Sequence, residues 1–271
     1  RAHKNFEKGL IKNMKNNPRQ FYAYLNQRKK SNRTISLKNA ATGDLMVDEK
    51  EIANQFNEAF SAVFQAGPEV EKEGSHRIFN DIEHEKLESV EFPPETVYKK
   101  LLDLKVHSAP GVDNISPMLL KSCAAEVCLP LSLIFEKSME EIRLPPIWKM
   151  TNITPIHKGG RQDAPENYRP INVSSIPCKI MESIIKDALL SHLTENELSL
   201  TSQHGFVPGR SCTTNLLLYL NEVTAALDAG ISYDVILLDF RRAFDVVPFK
   251  HMLHQLEAHG VGAQLVAWMR N

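Results

Sequence analysis

Apolar side chains recur at helical spacing through most of the chain, and only a few short stretches show the alternation or continuous apolar runs of strands. Residues 3–26 carry Phe6, Leu10 and Met14, then Phe21, Tyr22 and Leu25, around the turn-prone NNPRQ of 16–20, which predicts two short helices. After a polar hinge at 30–34, Thr42-Gly43-Asp44 marks the tip of a small hairpin. Asp48 is placed to cap a helix, with Glu51 at its third position and Ile52, Phe56, Phe60, Val63 and Phe64 on one face. From Gly67 to Glu91 an acidic run with little periodicity reads as a linker.

From Phe92 onward the texture changes to alternating short helices and strands. Pro93 and Pro94 open a helix through Leu104 that turns Val97, Leu101 and Leu104 inward. A tight loop, HSAPGVDNIS, precedes a helix started by Ser116 and Pro117, and a further helix from Leu129 to Ile142 is expected after a break at Pro130. Thr151–His157 and Tyr168–Val173 read as two extended pieces joined by the basic, glycine-rich loop KGGRQDAPEN. Long helices follow over 177–196 and 212–227. Then comes the apolar run Val235, Ile236, Leu237, Leu238, of the right length for a strand buried on both faces and ending at Asp239. The expected fold class is α+β, helix-rich.

Composition adds two constraints. An apolar content of 42% is that of a globular protein, no apolar run approaches the roughly 20 residues of a membrane helix, and RAHKNFEKGL lacks the apolar core of a signal peptide. The expectation is an intracellular protein without a membrane partner. Cys123, Cys128, Cys178 and Cys212 form no CxxC pair and have no His at zinc spacing, so they are expected as small core residues. The net charge of −1 conceals an asymmetry: residues 1–40 hold eleven Lys or Arg against Glu7 alone, whereas residues 44–95 hold fourteen acids against four bases. A basic stretch interleaved with Phe6, Phe21, Tyr22 and Tyr24 suits phosphates and base stacking; a solvated helix face explains the charge equally well. The chain opens on Arg1 and stops at Asn271 inside a helical pattern, and so reads as a piece of something longer.

Asp239 is the first candidate for chemistry. Hard divalent cations take oxygen ligands, and a carboxylate at the end of a buried strand is a fixed one. The next segment, Arg241 to Asp245, bends away and offers Phe244 and a second carboxylate, Asp245.

Four motifs in fixed order are more specific than any one residue. SAPGVDNISPMLLK (108–121), WKMTNITPIHKGGRQDAPENYRPINVSSIPCKIMESII (148–185), SQHGFVPGRSCTTNLL (202–217) and LLDFRRAFDVV (237–247) together resemble the reverse transcriptase of non-LTR retrotransposons, most closely the jockey-like branch of the LINE elements. The resemblance covers about residues 95–271, and residues 20–66 are similar to the segment joining endonuclease to polymerase in those elements. It implies a right-hand polymerase: residues 1–91 a helical extension and acidic linker, 92–232 the fingers, and 233–271 the first part of the palm. Asp239 matches the motif's metal-binding aspartate, and the main-chain carbonyl of Phe240 would be a second oxygen ligand. Phe244 matches the aromatic gate that favours dNTP over rNTP, and Asp245 an aspartate that acts as a structural cap. Arg169 and Lys158 match the basic residues that clamp the triphosphate, a role suited to a guanidinium fork. Gln203, Gly205, Gly209, Arg210 and Ser211 match the template and primer contact region. The implied reaction is Mg2+-dependent transfer of dNTP to a DNA primer on an RNA template, with Mn2+ as a substitute ion. The implied partners are the rest of the polymerase and an endonuclease domain, and the implied site of action is the nucleus.

The sequence also departs from the family pattern. Arg241 stands where a small Ser is frequent, and Pro248 where many relatives have Asp. No F/Y-x-D-D motif occurs; the adjacent acidic pairs are Asp48-Glu49 and Glu140-Glu141, both in expected helices. That motif carries the further metal-site aspartates, so these 271 residues are expected to be inactive alone. The alternative from a different class is a non-catalytic nucleic-acid-binding remnant of a retroelement.

Overall fold

The prolines and caps legible in the sequence start three helices of the computed structural model, which describes residues 11, 12, 14, 18, 35, 37, 38, 43–62, 85–198, 202–240 and 243–271. The two helices expected within 3–26 and the basic segment around them lie outside the described residues, apart from isolated positions. Two compact units emerge, one of residues 1–60 with 156–169, the other of 61–155 with 170–271.

In the smaller unit, α1 (Glu49–Ser61) begins where Asp48 accepts the backbone N–H of Glu51 at 3.3 Å and buries Ile52, Phe56 and Phe60. Ahead of it, an antiparallel bridge joins Lys38 to Leu45, and Met46 N–H donates to the Leu37 carbonyl at 2.7 Å. This is the hairpin expected around Gly43, whose φ of +77° is one that glycine adopts without strain. Leu37, Ile52, Phe56, Phe60 and Tyr168 form this unit's core.

The larger unit is helical. Pro94 opens α2 (Pro94–Leu102), which buries Val97 and Leu101, and Ser116 caps α3 (Pro117–Ser122) by accepting Met118 N–H at 3.2 Å. The break expected at Pro130 does not occur: α4 (Ala124–Glu140) runs through it. Proline removes one N–H, and here both Pro130 and Glu126, whose carbonyl loses its partner, are exposed, so the interruption falls on the solvent side of the helix. The core of the unit is aromatic at its centre. Phe92 and Phe135 meet edge-on at 5.6 Å, Trp148 approaches Phe135 at 5.8 Å, and Ser132 Oγ donates to the buried Phe92 carbonyl at 2.5 Å.

The strands β1 (Asn152–His157) and β2 (Tyr168–Val173) pair as a two-stranded antiparallel sheet, as the sequence predicts. From β2 the chain enters α5 (Ile176–Glu195), which packs Ile180, Met181, Ile184 and Ile185 into the core of the larger unit. The start of α5 is fixed by the APGVDN loop. Asp113 accepts its own loop's Ile115 N–H at 3.2 Å and also the hydroxyl of fully buried Ser175. Gly111 lies so close that a Cβ there would sit 2.5 Å from the Ser175 nitrogen. The acidic stretch read as a linker is packed from Leu87 on: Leu87 N–H donates to Gly260, and Gly262 N–H to Leu87, at 3.0 and 2.8 Å.

α6 (Cys212–Asp228) forms as expected, but leaves Leu216, Leu217 and Leu220 exposed. A short helix α7 (Ala243–Val246), then α8 (Phe249–Ala258) and α9 (Ala263–Arg270), complete the described chain. Leu265, Val266 and Trp268 of α9 return to the core, where the Trp268 indole donates to Ser138 Oγ at 3.1 Å.

Two further sequence expectations are corrected. The buried strand over 235–238 is an exposed segment without strand pairing: Ile236, Leu237 and Leu238 are 82, 90 and 86% accessible. A strand needs a neighbour to pair with, and burial on both faces needs layers packed over each; among the described residues the one sheet is β1–β2. Of the cysteines, Cys178 is buried, Cys123 and Cys128 are half-buried, and Cys212, on the exposed α6, is not a core residue.

These packings carry two expected outcomes. Gly111→Ala should destabilise the larger unit by about 2 kcal/mol or more, because backbone cannot yield at 2.5 Å; urea unfolding reads it. Burial, reinforced by Glu182, pushes the Cys178 thiol up to about 12, so at pH 8 it stays protonated while exposed Cys212 is alkylated first, as peptide mass mapping would show.

Candidate functional site

Strand alternation decides which side of the hairpin is chemical. Lys158 N–H donates to the Asn167 carbonyl at 2.9 Å, and the rings of His157 and Tyr168 meet edge-on at 5.2 Å, a register that pairs 157 with 168 and 158 with 167. Tyr168 is buried against Phe56, their ring centroids 4.9 Å apart, which leaves Asn167 and Arg169 on the opposite face. Lys158, across from Asn167, shares that face, and both Lys158 and Arg169 are exposed. Diagonal neighbours in such a ladder stand about 7–8 Å apart, within reach of long cationic side chains. Lys158, just past the end of β1, and Arg169, on β2, are thus both exposed at the same end of the hairpin.

The loop between them is pinned from several directions. Gly159 and Gly160 take φ of +132° and +81°, and a Cβ on Gly160 would stand 2.9 Å from the Asn167 amide nitrogen. His157 Nε2–H donates to the Gly160 carbonyl at 3.2 Å, Asn167 Nδ2 to the Arg161 carbonyl at 3.0 Å, and the Tyr168 hydroxyl to the Gln162 carbonyl at 2.7 Å. At the centre sits Asp163. Arg161 grips it in bidentate fashion at 3.0 and 2.9 Å, and Lys38 reaches it with Nζ at 3.3 Å while its backbone N–H donates to the Asp163 carbonyl at 3.1 Å. The hydrogen bonds from Arg161, first, and from Lys38 hold the Asp163 carboxyl well below the usual carboxylate range. Arg161 is thus engaged within the loop, which leaves Lys158 and Arg169 as its outward cations. The sequence reading did not single out Asp163 or Tyr168, and the only signal was that both lie between the two basic residues.

The other predicted site residues lie in the larger unit. Asp239 and Phe240 are exposed on the extended segment, and Phe244 on α7 meets Phe206 edge-on at 5.7 Å. Phe206 has a φ of +62°, unusual for a non-glycine residue, and its pairing with Phe244 joins the GFVPGRS segment to the AFD segment, a contact the sequence did not reveal. Within GFVPGRS, Arg210 donates to the Gln203 carbonyl at 2.6 Å, Gln203 Nε2 to the Gly205 carbonyl at 3.1 Å, and Ser211 makes a reciprocal capping box with Thr214 at the start of α6. Gly209 adopts a φ of +74° in the same turn. Arg241 and the Asp245 side chain lie outside the described residues. Among the described residues no group of three or more His, Cys, Asp or Glu could hold a metal ion, so Asp239 does not by itself make a divalent-cation site.

A family model described as "Reverse transcriptase (RNA-dependent DNA polymerase)" matches residues 156–271, from the end of β1 through α9. Those residues are similar to the reverse transcriptase family. The similarity extends to curated proteins. The chain is 28% identical over 209 residues to the probable RNA-directed DNA polymerase from transposon BS of Drosophila melanogaster, covering 76% of this chain and 23% of that protein. It is also 28% identical over 157 residues to the corresponding protein of the X-element of the same fly, covering 58% of this chain and 17% of the relative. A third relative, the retrovirus-related Pol polyprotein from type-1 retrotransposable element R2 of Popillia japonica, is 24% identical over 154 residues, covering 57% and 20%. These similarities bear out the resemblance to non-LTR retrotransposon polymerases read from the four motifs, and the chain spans about a fifth of the length of these relatives. Reverse transcriptases generally use divalent metal ions.

The Phe56–Tyr168 contact generates a prediction. Phe56→Ala should cost the smaller unit about 3–5 kcal/mol, seen as faster amide exchange at α1 and around Tyr168, with the exchange of α4 unchanged.

Proposed function

We propose that this chain supplies the incoming-nucleotide side of an RNA-directed DNA polymerase, in which Lys158 and Arg169 bind the triphosphate of a dNTP. The observation that carries this reading is the exposure of the two cations at one end of a hairpin that is anchored on its other side by buried Tyr168. In this reading residues 92–232 are the fingers and 233–271 the start of the palm, RNA is the template and DNA the primer. Phe244 is the gate against a ribose 2′-hydroxyl, and Phe206 backs its ring. Gln203, Gly209, Arg210 and Ser211 line the path of the template and primer. The cation is Mg2+, with Asp239 as one ligand; it would neutralise phosphate charge when bound, but the described residues do not complete its site. The rest of a polymerase and an endonuclease domain are the proposed partners, and the nucleus the place of action.

A second reading, a nucleic-acid-binding remnant without catalysis, is favoured by one observation, that no group of three or more metal-ligating side chains forms among the described residues. One measurement separates the readings and a second tests the expected inactivity. The 271-residue chain should bind dNTP, and Arg169→Ala should weaken that binding roughly tenfold, since a charge-assisted bidentate contact is lost; equal affinity contradicts the nucleotide site. In primer extension on an RNA template the chain alone should give no product, because one carboxylate does not hold the cations; templated synthesis would overturn that expectation.

A further inference from the structure

We infer that Asp163 is a positioning residue, clasped by Arg161 within the loop and by Lys38 of the N-terminal segment, that holds loop 158–167 in the shape presenting Lys158 and Arg169 to a polyphosphate. This rests on the reading of the hairpin as a triphosphate site. A carboxylate in a phosphate-binding loop opposes the charge of the ligand, so any favourable effect it has on binding must be geometric. Its partners supply that geometry. An exposed ion pair on its own contributes little, but here the guanidinium fork uses both carboxylate oxygens, and the Asp163 carbonyl accepts the Lys38 backbone N–H. Its neighbour Gln162 is tied to Tyr168 through the phenol hydroxyl, and Arg161 to Asn167 through the side-chain amide. The loop is therefore fastened at three successive residues, 161 to 163. Two of the fastenings lead to β2 and its approach, and the third leads to a segment more than a hundred positions earlier in the chain. Segment 37–60 acquires a role by the same argument. Through Lys38 it anchors the loop, and through Phe56 it buries Tyr168, so it supports the cationic face from behind.

Charge and geometry predict opposite results on removing the carboxylate. Asp163→Ala deletes a negative charge and releases Arg161 and Lys38, which by electrostatics alone would tighten polyphosphate binding; loss of positioning weakens it. The test uses the full 271-residue chain, inorganic tripolyphosphate as the probe in titration calorimetry, and amide hydrogen exchange of the ligand-free chain. Expected for Asp163→Ala are binding roughly tenfold weaker than wild type and faster exchange across 158–167, with α4 and α5 unchanged. Asp163→Glu, which keeps the charge, should recover part of both. Unchanged exchange in Asp163→Ala, or binding as tight as or tighter than wild type while Arg169→Ala binds weakly, overturns the positioning role and leaves the triphosphate site standing. Wild-type affinity in Arg169→Ala overturns the triphosphate site and with it this inference.

Discussion

One aromatic contact decides what the hairpin can do. Successive residues of a strand face opposite sides, so burying Tyr168 against Phe56 commits Arg169 to solvent, and pairing His157 with Tyr168 commits Lys158 to the same side. A slip by one residue would bury the guanidinium and expose the phenol, at the cost of desolvating an unpaired charge. Leu37, Ile52 and Phe60 surround the same contact, so the hydrophobic core of a small unit and the chemical face of its hairpin share one determinant.

The larger unit obeys a different constraint, close approach of backbone. Gly111 admits the first turn of α5 at a distance no side chain would permit, and Asp113 then fills the remaining polar valence of buried Ser175. Around that joint α2, α4 and α5 pack Val97, Leu101, Phe135, Ile180 and Met181, while α9 returns Trp268 to Ser138. In both units a chain segment far off in sequence completes the packing. Lys38 reaches Asp163 in one, and Leu87 pairs with Val261 in the other.

What the sequence made legible were the features written locally. Asp48 and Ser116 as caps, Pro94 and Pro117 as helix openers, the alternation of 152–157 and the Gly-rich turn all produced the elements they predict, because a cap or a proline acts through its own neighbours. The four ordered motifs sufficed for the resemblance to non-LTR retrotransposon polymerases. The failures concern partners. Val235–Leu238 are apolar enough for a buried strand, yet a strand exists only where another pairs with it, and no such pair forms among the described residues. Leu216, Leu217 and Leu220 have helical spacing and form a helix, but periodicity does not say what covers it. Pro130 looked like a break and is not one, since an exposed carbonyl can turn to water. The pairing of Phe206 with Phe244 and the clasp on Asp163 were illegible for the same reason: each joins residues whose separation in sequence carries no periodic signal.

The central claim is that the incoming triphosphate lies against the Lys158 and Arg169 face of the hairpin. Photo-cross-linking with a dNTP analogue carrying an azido group on its γ-phosphate, followed by peptide mapping, tests it most directly. The account predicts label within residues 156–169 that unlabelled dNTP competes away; competed label confined to 202–211, with none on the hairpin, would contradict it.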